Sequence, residues 1–244
     1  MKIKFIYSPN FTLRKSRKIE SIIIHYTGMK TALASIKRLK NKKSKVSCHY
    51  LIENNGSIIQ MVRDQDVAWH AGFSYWDGKK NLNKNSIGIE LQNKGEEFGY
   101  EKFKKKQISS LIWLINSIKK KYDICDALIL GHSDIAPDRK IDPGYLFPWQ
   151  QLYKAGIGLM PNVVSNENKE ITNVKIKNLQ LLLRKFGYKL KISEVLDKET
   201  LQVLYAFQSH YCPNELTQFK IKRKLLIYLK ALIKAKNISL TKKN

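Results

Sequence analysis

Five histidines stand in the 244-residue chain: His25, His49, His70, His132 and His210. Two of them close apolar runs. His25 ends the β-branched stretch SIIIHY, and His132 follows ALILG. Asp142 comes shortly after His132, inside the Pro- and Gly-punctuated loop GHSDIAPDRKIDPG. Residues at strand ends and on loops converge on clefts in folded domains. Two imidazoles and one carboxylate suit Zn2+ with a fourth position left for water. Such an ion lowers the pKa of its bound water to about 7 and polarises a carbonyl. No HExxH or CxxC spacing fixes the ligands. Spacing alone therefore leaves a metal site and satisfied core histidines both open.

The elements that must position these residues are legible from periodicity. Ser21–Tyr26 reads as a buried strand. Thr31–Lys40 reads as a helix with Leu33, Ile36 and Leu39 on one face. Val46–Val62 reads as a hairpin around Asn54-Asn55-Gly56-Ser57, since Asn-Gly is a strong turn signal. Ser86–Gln92 alternates like a strand, and Phe103–Tyr122 carries a helical stripe of Ile108, Leu111, Ile112, Ile115 and Ile118. Ala127–Leu130 is a strand that runs into Gly131-His132. This order implies an α/β domain over residues 1–160, a mixed central β-sheet flanked by helices. A polar stretch at 161–172 reads as a linker. Residues 173–244 read as a small three-helix domain. Leu179, Leu182, Leu183 and Phe186 lie on its first helix. Asp197 caps the second, ahead of Leu201, Leu204 and Phe207. Leu225, Leu229, Leu232 and Ile233 form the stripe of a third helix from Ile221 to Lys236.

Composition narrows the classes. With 43% hydrophobic and 10% aromatic residues the chain is globular. Its net charge of +25 creates a long-range positive field. The charge is spread along the chain, and abundant Lys, Asn and Ile together indicate compositional bias. No helix-turn-helix, zinc-finger or RNP pattern marks nucleic-acid binding. Cys48, Cys125 and Cys212 are odd in number and lack a CxxC, which argues against a disulfide framework. Cys48 and Cys125 read as small core residues. No run of about 18 apolar residues occurs, so no transmembrane helix is expected. The N-terminus, MKIKFIYSPNFTLRKSRK, lacks an apolar core segment, so a cytoplasmic location is expected, with the cell envelope as the alternative. The pattern specifies no oligomeric state.

Five segments in order resemble the motifs of the type 2 N-acetylmuramoyl-L-alanine amidases: IIIHYTG, VSCHYLIENNGSIIQMV, VAWHAG, NSIGIELQN and GHSDIAPDRKIDPG. The resemblance implies a Zn2+ enzyme on the mixed-sheet amidase fold. Its substrate would be peptidoglycan or a muropeptide, cut between an N-acetylmuramoyl or 1,6-anhydro-N-acetylmuramoyl group and L-alanine. It implies His25, His132 and Asp142 as ligands, Glu90 as the catalytic glutamate and Lys140 as the catalytic lysine. Glu90 would take a proton from the attacking water and return it to the leaving nitrogen. Lys140 would stabilise the oxyanion beside the metal. Taken singly, Glu90 is the polar side of an alternating strand and Lys140 a solvated loop charge. Trp69 and His70 could line a substrate groove, with a packed loop histidine as the alternative. His49 is similar to a family position near the site and could orient a ligand. Asp134 and Asp138 read as turn or cap residues, and His210 as unrelated to catalysis. A non-catalytic peptidoglycan-binding protein on the same fold is the rival reading. Such relatives lose a ligand, and this chain keeps all three. The C-terminal region resembles the helical peptidoglycan-binding domain at Leu179-Gln180, Gly187-Tyr188, Asp197 with Thr200, and Ala206-Phe207-Gln208. Its segment Ile192–Leu196 lacks that family's glycine turn, and a helical brace is the other reading. The basic final helix could touch an anionic surface or pack by its apolar stripe.

Overall fold

Ile22, Ile23 and Ile24 are fully buried and form the middle of the molecule. The structure, a computed structural model, describes residues 2–15, 18–163, 173–216 and 222–241. In chain order its elements are β1 (Ile3–Phe5), β2 (Phe11–Leu13), β3 (Ser21–Tyr26), α1 (Ala32–Lys40), β4 (Tyr50–Ile52) and β5 (Ile58–Gln60). Then come β6 (Asp66–Ala68), β7 (Tyr75–Trp76), β8 (Lys79–Lys80), β9 (Ser86–Leu91), α2 (Gly95–Phe98) and α3 (Lys105–Tyr122). The last are β10 (Ile129–Gly131), α4 (His132–Ile135), α5 (Trp149–Lys154), α6 (Asn173–Phe186), α7 (Lys198–Tyr211) and α8 (Lys224–Thr241).

Six strands form one mixed sheet in the order β1-β5-β4-β9-β3-β10. Only the β4–β5 hairpin pairs antiparallel within it. Side chains alternate across the sheet, and the two faces have different covers. Ile22, Ile24, Ile87, Ile89 and Ile129 pack on α3 through Ile108, Leu111, Ile115 and Ile118. Ile23 and Leu130, on the opposite face, share a core with α6, α7 and α8. A mixed sheet flanked by helices is thus the architecture observed.

Some details depart from the sequence expectations. Leu33 is 61% exposed, because α1 packs through Ile36 and Leu39 against Cys48, Leu51 and Met61. The last sheet strand starts at Ile129, since Asp126–Leu128 close a 3-10 turn first. Strands β1, β2, β6, β7 and β8 have two or three residues each, too few to show a period. Cys48 and Cys212 are buried and Cys125 is half-buried. From residue 164 on, the expected linker lies outside the described residues, as does Ile221.

The C-terminal helices brace the sheet. Trp76 packs edge-on against Phe186 and Tyr188, with ring centroids 5.7 and 4.9 Å away. Gly187, at φ +143°, admits that indole: a Cβ there would stand 2.8 Å from it. The apolar stripe of α8 is buried, and Lys236 bonds the Phe186 carbonyl at 2.8 Å and Asp77 at 2.7 Å. Among the described residues no helix is long and apolar enough to cross a membrane.

Candidate metal centre

Strands β3, β9 and β10 run parallel, so their C-terminal ends share one edge of the sheet, where open α/β sheets hold ligands. In register, His25 stands opposite Glu90, and Ile24 opposite Gly131. One residue beyond β10 the chain turns into α4, which sets His132 beside His25. The turn is fastened by Asp134, whose carboxylate accepts the Gly131 N–H at 2.7 Å. The Ser133 N–H donates to the Asp142 carbonyl at 2.8 Å and draws the following loop back over the strand end.

Three side-chain atoms meet there. His25 Nδ1 lies 3.0 Å from His132 Nδ1, and each nitrogen lies 3.1 Å from Asp142 Oδ2. All three residues are buried. Zinc bonded at about 2.0–2.1 Å spaces tetrahedral donors about 3.3 Å apart, so this near-equilateral triangle fits one face of such a site. The group is the candidate metal set among the described residues. Burial, then the neighbouring His132, pushes His25 down to about 4 in the metal-free protein, against the opposing pull of Asp142. Burial disfavours the charge of Asp142, but His132 and His25 outweigh it and hold the carboxyl well below the usual carboxylate range. A carboxylate held anionic and a His25 imidazole held neutral are protonation states that suit a metal.

Glu90 faces the same cleft, a cavity of about 570 Å3 that His25, His132, Asp142, Lys140 and Trp69 also line. The residue is partly exposed, yet its Oε2 is sealed and has no hydrogen-bond partner. Burial, reinforced by the Asp142 charge and opposed by Lys140, raises its pKa to about 8. A sealed, unpartnered carboxylate oxygen costs stability and marks a site of function. Lys140 is half-buried on the cleft wall, its backbone N–H tied to Ala136.

The remaining histidines take other places. His49 does not line the cleft. Its Nδ1 accepts the Gly88 N–H at 3.0 Å, and its Nε2 faces the Asp66 carbonyl at 3.2 Å. It stands just before β4 with its ring turned to Gly88, inside the wall and not at the substrate-facing surface, a place that suits a structural role. His70 borders the cleft but is only 9% exposed, with its ring laid over Gly88 and Nδ1 3.0 Å from His25 Nε2. Trp69 stays half-exposed at the cleft. His210 is buried, stacks on Trp149 at 3.6 Å and bonds Asp134 at 2.7 Å. It is thus tied to the turn that carries His132, and Asp134 is the cap expected of it. Asp138 is an exposed loop residue. Sequence reasoning passed over Asn83, Ser86 and Gly88. Asn83 Oδ1 accepts the N–H groups of His70 and Ala71 at 3.0 and 2.7 Å. Ser86 Oγ lies 3.2 Å from His70 Nε2. Only a glycine inside an alternating strand hinted at this packing.

A family model described as N-acetylmuramoyl-L-alanine amidase matches residues 15–145. The chain is 39% identical over 214 residues to the N-acetylmuramoyl-L-alanine amidase AmiD of Escherichia coli K12, covering 81% of this chain and 76% of that protein. It is 46% identical over 108 residues to the 1,6-anhydro-N-acetylmuramyl-L-alanine amidase AmpD of Haemophilus influenzae, covering 44% and 56%. A solved complex of E. coli AmiD with anhydro-N-acetylmuramic acid-L-Ala-D-gamma-Glu-L-Lys matches with a TM-score of 0.80 at 33% identity, covering 91% of each chain. AmpDh3 of Pseudomonas aeruginosa, in complex with an anhydromuramic pentapeptide, matches with a TM-score of 0.75 at 30% identity, covering 92% of this chain and 94% of that one. Coverage this wide takes in the C-terminal helices as well as the sheet. On these grounds, and with the three-donor cleft in place, the chain belongs to the N-acetylmuramoyl-L-alanine amidase family.

Proposed function

We propose that the enzyme cuts the amide between the lactyl carbonyl of 1,6-anhydro-N-acetylmuramic acid and L-alanine, using Zn2+ held by His25, His132 and Asp142. The observation that carries this reading is the sealed Glu90 oxygen in the same cleft as the three-donor set. When bound, the ion would supply Lewis acidity to the scissile carbonyl and acidify the attacking water. Glu90 acts as the base that takes the water's proton and delivers it to the leaving alanine nitrogen. A carboxyl raised to about 8 in the metal-free protein holds that proton readily, and a nearby dication favours its ionised form. The Lys140 ammonium stabilises the negative charge that develops on the carbonyl oxygen. Trp69 offers an aromatic wall to the sugar, and Arg38 a cation to the acidic stem peptide. The ligands in the related AmiD and AmpDh3 complexes support an anhydromuramoyl peptide as substrate.

The test is mass spectrometry of products from anhydro-muropeptides and from intact sacculi, each incubated with zinc-loaded protein. The expected products are a peptide-free anhydromuramoyl sugar from the muropeptides, peptide-free glycan from any sacculi cut, and in each case a peptide with a new N-terminal L-alanine. Cleavage elsewhere, or none by zinc-replete protein, would overturn the reading.

A further inference from the structure

The loop through Trp69 and Gly72 touches both ligand histidines, each at the ring nitrogen that faces away from the donor triangle. His25 Nε2 lies 3.0 Å from His70 Nδ1, and His132 Nε2 lies 3.3 Å from the Ala71 carbonyl. Where the protons sit follows from the outside inward. Ser86 Oγ is 2.6 Å from the Leu82 carbonyl oxygen, so its hydroxyl proton lies on that contact. The same Oγ can then only accept from His70 Nε2, which must carry a proton. No carboxylate contacts the buried His70 ring, so it stays neutral and presents a lone pair at Nδ1. His25 Nε2 must therefore donate to it, which leaves the His25 Nδ1 lone pair facing the triangle. The Ala71 carbonyl has no proton to give, so His132 Nε2 donates as well, and in the neutral ring the lone pair then falls on Nδ1.

We infer that residues 70 and 71 form a tautomer lock that sets the proton of both ligand histidines on Nε2, with His70 a positioning residue rather than a substrate contact. The lock matters because Asp142 Oδ2 lies 3.1 Å from both Nδ1 atoms and attracts a proton to either one. A ligand imidazole carrying its proton on Nδ1 would close on Asp142 and exclude the metal. The lock has its own supports. Asn83 holds the two loop amides, and Arg139 donates to the Ala71 carbonyl at 2.6 Å. Gly88 makes room for the His70 ring, since a Cβ there would stand 2.3 Å from its Cγ.

The inference rests on the metal reading, and the test separates the two. Zinc affinity is measured by chelator competition, and imidazole tautomers by 15N NMR of the metal-free protein. His70→Leu should bind zinc about 10–100-fold more weakly, with His25 shifting toward the Nδ1–H form. His70→Asn, which sets an amide oxygen near the place of Nδ1, should recover part of the affinity. Ser86→Ala removes one hydroxyl and carries the test if His70→Leu does not fold. It should release His70 to the other tautomer and weaken zinc binding in the same direction. Wild-type zinc affinity in both His70→Leu and Ser86→Ala overturns the lock, as does finding His25 protonated on Nδ1 in the wild-type metal-free protein. Wild-type zinc affinity in His25→Ala would instead overturn the metal reading itself.

Discussion

Glu90 and Asp142 are two carboxyl groups in one cleft with opposite tendencies. Two imidazoles surround Asp142, whereas one oxygen of Glu90 has no partner. Separating the two roles by mutation is direct. Glu90→Gln should retain zinc, by elemental analysis, while turnover falls about 10^2–10^4-fold, the range for loss of a general acid–base group. Asp142→Asn should lose zinc by a larger factor than any outer-partner change. The raised pKa of Glu90 also links pH to stability. Its protonated form is favoured by the fold, so its contribution is full below the unfolded value near 4.5 and fades as pH rises through about 8. In metal-free protein, the melting temperature of Glu90→Gln should therefore gain on wild type progressively from pH 5 to pH 8. A difference independent of pH would contradict the burial argument.

At the scale of elements, β9 organises the site. Its alternation sends Ile87 and Ile89 toward α3 and sets Gly88 and Glu90 on the cleft side. Gly88 is backbone that a ring must lie on. Gly88→Ala changes no polar group, yet it must displace His70. Overpacking of this kind costs about 1–3 kcal/mol. A lower melting temperature together with weaker zinc binding is the expected outcome, and calorimetry with chelator competition checks it. The strong strands β3 and β9, the β4–β5 hairpin and α3 were all legible, because each carries enough residues to show period 2, a turn signal or period 3.6. The short ribbons β2–β6 and β7–β8 were not, although β6 leads directly into the loop that holds both ligand histidines.

For the whole molecule, the C-terminal helices and the ligand loop are joined through Asp134. Its carboxylate takes the Gly131 N–H, the Tyr188 hydroxyl and His210 Nδ1, all buried. Leaving buried donors unpaired costs about 1–3 kcal/mol each. Asp134→Ala should thus destabilise by about 3 kcal/mol or more, and Tyr188→Phe by about 1 kcal/mol, read from denaturant unfolding. Truncation before residue 173 should be more severe. It would expose Ile23, Trp76, Leu130 and Ile135, each worth about 1.5–3 kcal/mol when buried. Circular dichroism of the truncated chain should show loss of the cooperative transition. A truncated chain that folds and hydrolyses muropeptides would instead favour the C-terminal region as a separate domain.

The sequence by itself determined the chemistry available: which two histidines end apolar strands, which aspartate follows in a punctuated loop, and which glutamate and lysine stand in the matching motifs. Those are local facts, carried by residue type and short-range order. The tertiary structure alone decided what surrounds them. His49 and His70 look alike in sequence, each on or near a strand beside aromatic residues. Register and the missing Cβ of Gly88 put one inside the wall and the other behind a ligand. His210 lies in a distant helix by sequence, yet it reaches the turn that carries His132. Parallel pairing and long-range packing join residues far apart in the chain, and no periodicity within one segment encodes such partners.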